Sequence, residues 1–136
     1  MQRLRTRPQF QAVLASAPVA KTPHFALHRL VLEPAEGLDA LFPAAGPWLG
    51  VLIPKRWARR AVTRNAIRRQ IYATAPSGDG LPAAAHVVRL RGAFDPKQFV
   101  SASSEALKRA VRAELLGLWS RVPTRTAPAA PRGHVA

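Results

Sequence analysis

Between Asp39 and Asp79 the chain contains no acidic residue, yet the 18 residues from Lys55 to Tyr72 hold seven cations: Lys55, Arg56, Arg59, Arg60, Arg64, Arg68 and Arg69. A solvated helix normally intersperses acids among its bases, because each i,i+4 ion pair contributes about 0.2–0.5 kcal/mol. Here no such relief is available. The imbalance extends to the whole chain, with 21 Lys and Arg against 7 Asp and Glu and a net charge of +14. Cations crowded onto 136 residues repel one another unless a polyanion is the usual partner, so nucleic acid is the leading partner class. With 48% hydrophobic residues the chain still has material for one modest core, and a folded domain is expected rather than a disordered polycation.

The chain has no cysteine, which excludes disulfides, thiolate zinc sites and cysteine nucleophiles and fits a reducing cytoplasm. The longest apolar run, Pro43 to Pro54, is broken by Gly46, Pro47 and Gly50 and falls far short of the roughly 18 residues a membrane span needs. Arg3, Arg5 and Arg7 before a short apolar stretch imitate an export signal, but Gln9 and Gln11 interrupt it. A cytoplasmic protein with no membrane partner is expected.

Thr6 followed by Arg7-Pro8 reads as a helix cap with proline in the first turn, and Phe10, Val13 and Leu14 give the helix an apolar face ending near Ala17-Pro18. His24 to Leu32 reads as a largely buried strand, with Phe25, Leu27, Arg29 and Val31 on one face and Ala26, His28, Leu30 and Leu32 on the other. Glu33 to Pro47 is a connection, Trp48 to Ile53 a second strand, and Lys55 to Tyr72 carries a helix with the stripe Thr63, Ile67 and Ile71. A turn cluster from Pro76 to Pro82 leads into a third strand, Ala85 to Arg91. Val100, Ser104, Leu107, Val111, Leu115 and Leu118 mark a last amphipathic helix, capped by one of the serines at 101, 103 and 104. Residues 1–119 are therefore expected to form one domain, followed by a solvated basic and proline-rich tail, 120–136. The order helix, strand, strand, helix, strand, helix implies an α+β fold, two layers with helices covering a small sheet.

Arg64 and Arg68 are one turn apart, with Asn65 on the same side, facing away from the apolar stripe. Their guanidinium forks each suit a phosphate, and the amide adds a neutral contact. If about five of the segment's cations displace counterions, affinity for a nucleic acid falls by roughly two decades between about 50 and 200 mM salt.

Those residues also carry a resemblance. Ala61-Val-Thr-Arg64-Asn65-Ala66-Ile-Arg68-Arg69, after a strand and Pro54-Lys55-Arg56, resembles the Arg-Asn-Arg signature region of the bacterial ribonuclease P protein subunit family. Arg3-Leu4, Gln9-Phe10-Gln-Ala-Val13, Phe25-Ala-Leu-His28, Leu49-Gly50-Val51, His86-Val-Val88 and the last helix follow in the family's order, over roughly residues 1 to 118. The resemblance implies an additional short strand, giving the order α-β-β-(β)-α-β-α, and a left-handed β-α-β crossover like that of a ribosomal-protein domain. It implies a partner RNA that cuts the 5′ leader from precursor tRNA using Mg2+ held mainly by that RNA, with no metal bound by the protein alone and no obligate protein partner. It places Lys55, Arg56, Arg59, Arg60, Arg64, Asn65, Arg68 and Arg69 against the catalytic RNA, and Phe10, Leu14, Phe25 and His28 in a cleft for the single-stranded leader. Aromatic faces suit unstacked bases, although Phe10 equally suits ordinary core packing. Ala66 stands where the signature has its second arginine, Leu14 occupies a position that can be aromatic, and His28 replaces a frequent tyrosine.

No close acidic pair at metal-site spacing is present, Asp79 and Asp95 suit turn capping, and His24 and His28 lack the partners a metal site needs. The polypeptide is expected to carry no catalytic residues of its own, the endonuclease chemistry belonging to the RNA. A ribosomal-type rRNA-binding protein is the chief rival, and a basic DNA-binding module the next.

Overall fold

In a computed structural model the described residues are 2–31, 42, 47–76, 84–94 and 105–121. They form five strands and three helices: β1 (Gln2–Arg3), α1 (Arg7–Leu14), β2 (Pro18–Lys21), β3 (Phe25–Val31), β4 (Trp48–Leu52), α2 (Ala61–Thr74), β5 (Ala84–Leu90) and α3 (Glu105–Ser120). The strands make one sheet in the order β1-β4-β5-β3-β2. β4 pairs in parallel with both β1 and β5, while β5–β3 and β3–β2 are antiparallel. The parallel neighbours β4 and β5 are joined through α2, which is the β-α-β crossover. Most of the connection from Glu33 to Pro47, the turn cluster beyond Pro76, Val100 and the serine caps lie outside the described residues, as does the tail from 122 onward. Ser120 still belongs to α3, and the Arg121 guanidinium donates to the Lys21 carbonyl at 2.6 Å.

The sheet separates two cores. On one face α2 and α3 bury Ile67, Ile71, Leu107, Val111, Leu115 and Leu118 against Phe25, Leu27, Leu49, Val51, Val88 and Leu90. On the other, α1 and the chain before it bury Val13 and Leu4 against Trp48, Ala85 and Val87. β5 is the middle strand, covered on both faces, which is why Ala84-Ala-His-Val-Val runs apolar almost without alternation. A fully buried Leu or Ile contributes roughly 1.5–3 kcal/mol, so the larger α2/α3 side supplies most of the stability.

Two strands exceed the three read from the sequence. β2 is an edge strand opened by Pro18, a residue an edge tolerates because its missing N–H faces no partner. β1 is only two residues long, tied by Gln2 N–H to the Pro47 carbonyl at 3.0 Å and by Leu4 N–H to the Leu49 carbonyl at 3.1 Å. The basic helix also begins later than expected. Trp57 and Ala58 N–H groups both donate to the Pro54 carbonyl, and Ala58 turns into the core. Lys55, Arg56, Arg59 and Arg60 therefore lie on a turn ahead of α2.

Candidate nucleic-acid interface

α2 begins without help from any acid. Arg60 occupies its N-cap in extended conformation, no side chain caps the first turn, and that turn holds no carboxylate. The positive end of the helix dipole thus faces a cluster of cations, an arrangement that repels itself and favours an incoming anion. Arg64 Nη1 donates to the carbonyls of Ala58 at 3.0 Å and Arg59 at 2.7 Å, fastening the 55–60 turn to the helix. Arg68 Nη1 donates to Asn65 Oδ1 at 3.0 Å, so the expected neighbourhood of Arg64, Asn65 and Arg68 is present on one flank. Arg69 is exposed beyond it, as are Lys55, Arg56, Arg59 and Arg60. Ala66 is buried, so the position where the signature's second arginine was expected lies inward.

The opposite flank of α2 faces α3. Arg112 Nη1 meets Gln70 Oε1 at 3.4 Å, and Trp119 Nε1 donates to Thr74 Oγ1 at 3.0 Å. On the basic flank the structure adds a residue that the sequence did not place at this site. The Arg3 guanidinium lies 4.0 Å from the centre of the Tyr72 ring, a cation–π contact that joins edge strand β1 to α2. Burial raises the Tyr72 phenol above its usual pKa, while Arg3 and Arg68 pull it down. Two guanidinium charges therefore act on a single ring. The sequence offered Arg3-Leu4 as part of the family's order, but nothing in it put that arginine beside Tyr72.

On the α1 face, Thr6 accepts from Gln9 N–H while Gln9 Oε1 accepts from Thr6 N–H, a full capping box. Phe10 and Leu14 of α1 are half-buried against the smaller core. Phe10 and Leu4 pass so close over β4 that a Cβ on Gly50 would meet Phe10 Cε1 at 2.8 Å and Leu4 Cδ1 at 2.6 Å. His28 lies on the same face but is buried, with both ring nitrogens engaged. Its Nδ1 faces the Ser16 carbonyl at 2.8 Å and its Nε2 faces Arg89 Nε at 3.3 Å. The carbonyl only accepts and the guanidinium only donates, so Nδ1 carries a hydrogen and Nε2 accepts, with no hydrogen bond left for a base. Phe25 is not part of this site. It is fully buried on the α2/α3 face, because residues of opposite parity on one strand point to opposite sides of a sheet.

A second Arg–His pair occupies that other face. Arg29 Nε donates to His86 Nε2 at 3.1 Å, and His86 Nδ1 faces the Trp48 carbonyl at 3.2 Å. Burial, and then the Arg29 charge, lower the His86 pKa from 6.5 to about 4. His24 instead pairs with Glu114, its Nδ1 2.8 Å from Oε1, while Thr22 Oγ1 and His24 N–H donate to Oε2 at 2.5 and 2.6 Å. His24 and His28 thus serve different contacts. Among the described residues no three His, Asp or Glu side chains converge on a point where a metal ion would sit, and no helix is long and apolar enough to cross a membrane. Asp79, Asp95 and His134 lie outside the described residues.

The sequence model of the Ribonuclease P family matches residues 1–115. The chain is 36% identical over 121 residues to the ribonuclease P protein component of Bordetella parapertussis, covering 88% of this chain and 90% of that protein. It is 38% identical over 130 residues to the component of Ralstonia pickettii, covering 95% and 84%. Its fold is similar to that of the Staphylococcus aureus RNase P protein, with a TM-score of 0.63 at 16% identity over 88% of this chain and 94% of the other. A family match across most of the length, joined by relatives above 30% identity, shows that the chain belongs to the ribonuclease P protein family and works with ribonuclease P RNA in tRNA processing.

Proposed function

We propose that the chain binds the catalytic RNA through α2 and its preceding turn and holds the single-stranded 5′ leader of precursor tRNA against the α1 face of the sheet. In this reading the RNA subunit breaks the phosphodiester bond. The leader departs and the mature tRNA 5′ end remains. The observation that carries the reading is the basic flank of α2, whose guanidinium groups are held by carbonyls, an amide and a tyrosine ring rather than by carboxylates. Such contacts orient a cation without cancelling it, leaving its charge for phosphates.

The protein's part is electrostatic and positional. Lys55, Arg56, Arg59, Arg60, Arg64, Arg68 and Arg69, with Asn65, lower the repulsion between RNA segments, so that Mg2+ needed at the RNA active site binds at lower concentration. Glu105 and Glu114 are the carboxylates among the described residues, both on α3, and Glu114 is committed to Thr22 and His24. In this reading magnesium belongs to the RNA, as the resemblance implies. The absence of cysteine and the RNA partner fit work in the cytoplasm.

The test is reconstitution with the catalytic RNA at near-physiological salt and limiting protein. Arg64→Ala with Arg68→Ala removes two charged contacts, and RNA affinity is expected to fall by about 10- to 100-fold. Leader cleavage stimulated as well as by wild type would refute the assignment of α2. Equal affinity of the wild-type complex for precursor and mature tRNA would favour an rRNA-type binder without a leader site.

A further inference from the structure

Arg89 is a cation in the middle strand of the sheet, on the face that α1 covers. Its neighbours in register are Ala26 on β3 and Leu52 on β4, and beyond Ala26 lies Lys21 on edge strand β2. That row carries two cations and no acid. The carboxylates among the described residues, Glu105 and Glu114, both sit on α3, across the sheet. A half-buried guanidinium with no counter-charge among the described residues is costly to retain in a central strand, and an anion arriving from outside would relieve that cost.

Its side-chain hydrogen bond among the described residues orients it without neutralising it. Arg89 Nε donates to His28 Nε2, and His28 is fixed in turn by the Ser16 carbonyl just past the end of α1. Ser16 Oγ also lies 2.6 Å from the Val13 carbonyl and 2.9 Å from the Arg29 carbonyl, its one hydrogen shared between them, so the C-terminal end of α1, the ring and the guanidinium form one connected support. With Nε occupied, the remaining guanidinium N–H groups meet no acceptor among the described residues and offer a two-pronged donor, a geometry suited to a phosphate. Phe10 and Leu52 supply partly buried apolar surface on the same face.

We propose that Arg89 grips a phosphate of the single-stranded leader and that His28 is its positioning residue, touching no RNA itself. This rests on the reading of the α1 face as the leader site, and names within it the charged contact that neither the signature region nor the aromatic positions supplied. The contact is to the backbone and thus independent of leader sequence.

The experiment uses the full complex with catalytic RNA and measures dissociation constants for precursor and mature tRNA across a range of salt. Arg89→Gln keeps a donor toward His28 and removes the charge. Precursor affinity is expected to fall by about 5- to 10-fold, the salt slope for precursor to drop by about 0.7, and mature tRNA to be weakened less than about twofold. His28→Asn keeps a donor toward Ser16, but its amide oxygen stops short of the Nε2 position that Arg89 meets, and the variant is expected to lose about 3-fold, an effect that vanishes when Arg89 is already Gln. His28→Gln, which retains an acceptor for Arg89, is expected to restore most of the loss. Wild type that prefers precursor tRNA, with Arg89→Gln keeping both preference and salt slope, overturns the Arg89 assignment alone. A wild-type complex with no such preference overturns the leader site and this proposal together. A loss confined to one leader sequence would indicate base reading and refute the phosphate contact.

Discussion

His86 makes the stability of this fold depend on pH in a way that can be worked out from its surroundings. The ring is fully buried on β5, accepts from Arg29 and faces the Trp48 carbonyl, so it is neutral in the folded protein, where its pKa is lowered to about 4. In the unfolded chain it titrates near 6.5. Above that value neither state binds the proton and His86 contributes no pH dependence. Between 6.5 and about 4 the unfolded chain binds a proton the folded one refuses, so stability falls as pH falls. At about 1.36 kcal/mol for each pH unit the loss reaches about 3 kcal/mol by pH 4 and then levels off. The comparison is with His86→Gln, whose amide accepts from Arg29 and donates to Trp48 but does not titrate. Urea unfolding of both proteins at intervals from about pH 7 to 4 isolates the histidine in the difference between the two curves. Parallel curves across that interval would refute the reasoning, as would a difference that grows above pH 6.5.

Gly50→Ala puts a methyl group against Leu4 and Phe10, and the clash is expected to cost about 1–3 kcal/mol in urea unfolding while displacing α1 from the sheet. Glu114→Gln weakens the three contacts that fasten α3 to Thr22 and His24, with an expected loss of about 1–3 kcal/mol in the same assay. Thr6→Ala removes the α1 cap, at about 1 kcal/mol, read by thermal unfolding monitored by circular dichroism. Asn65→Asp preserves the hydrogen bond to Arg68 but neutralises it, so stability should change by less than about 1 kcal/mol while affinity for the catalytic RNA falls more than in Asn65→Ala.

The elements that the sequence revealed are those whose burial repeats. Val13 on α1, Ile67 and Ile71 on α2, and Leu107, Val111, Leu115 and Leu118 on α3 form the stripes that periodicity exposed, and they are the residues that pack. β1 has no period to detect at two residues, and β2 hides behind Pro18 and an edge position whose side chains are at most half-buried. Phe25 and His28 show a different failure. The alternation along β3 already put Phe25 with Leu27 and Arg29, and His28 with Ala26 and Leu30, on opposite faces. Grouping them in one cleft, as the resemblance implied, set that parity aside, and the structure restores it. Arg89 was legible in principle as a lone cation inside His86-Val-Val-Arg89-Leu, but its importance depends on what stands opposite it, which only the sheet register provides.

The way this fold holds its arginines explains how so basic a chain is ordered without losing its charge. Arg3 rests on a tyrosine ring, Arg89 on an imidazole, Arg68 and Arg112 on amides, and Arg64, Arg91 and Arg121 on backbone carbonyls. The ion pairs found among the described residues, His24–Glu114 and Lys108–Glu105, both involve α3 and none of these arginines. A carboxylate partner would fix each guanidinium more strongly but would leave a nearly neutral pair that releases no counterions when RNA arrives. Neutral acceptors fix direction at a net gain of about 1 kcal/mol each and leave the cation's field intact. The cost is mutual repulsion in the free protein, and the apolar packing of α2 and α3 on the sheet must offset it. Stability of the free protein should therefore rise with added salt, under the same conditions in which affinity for RNA falls, because screening relieves the repulsion as it weakens the attraction.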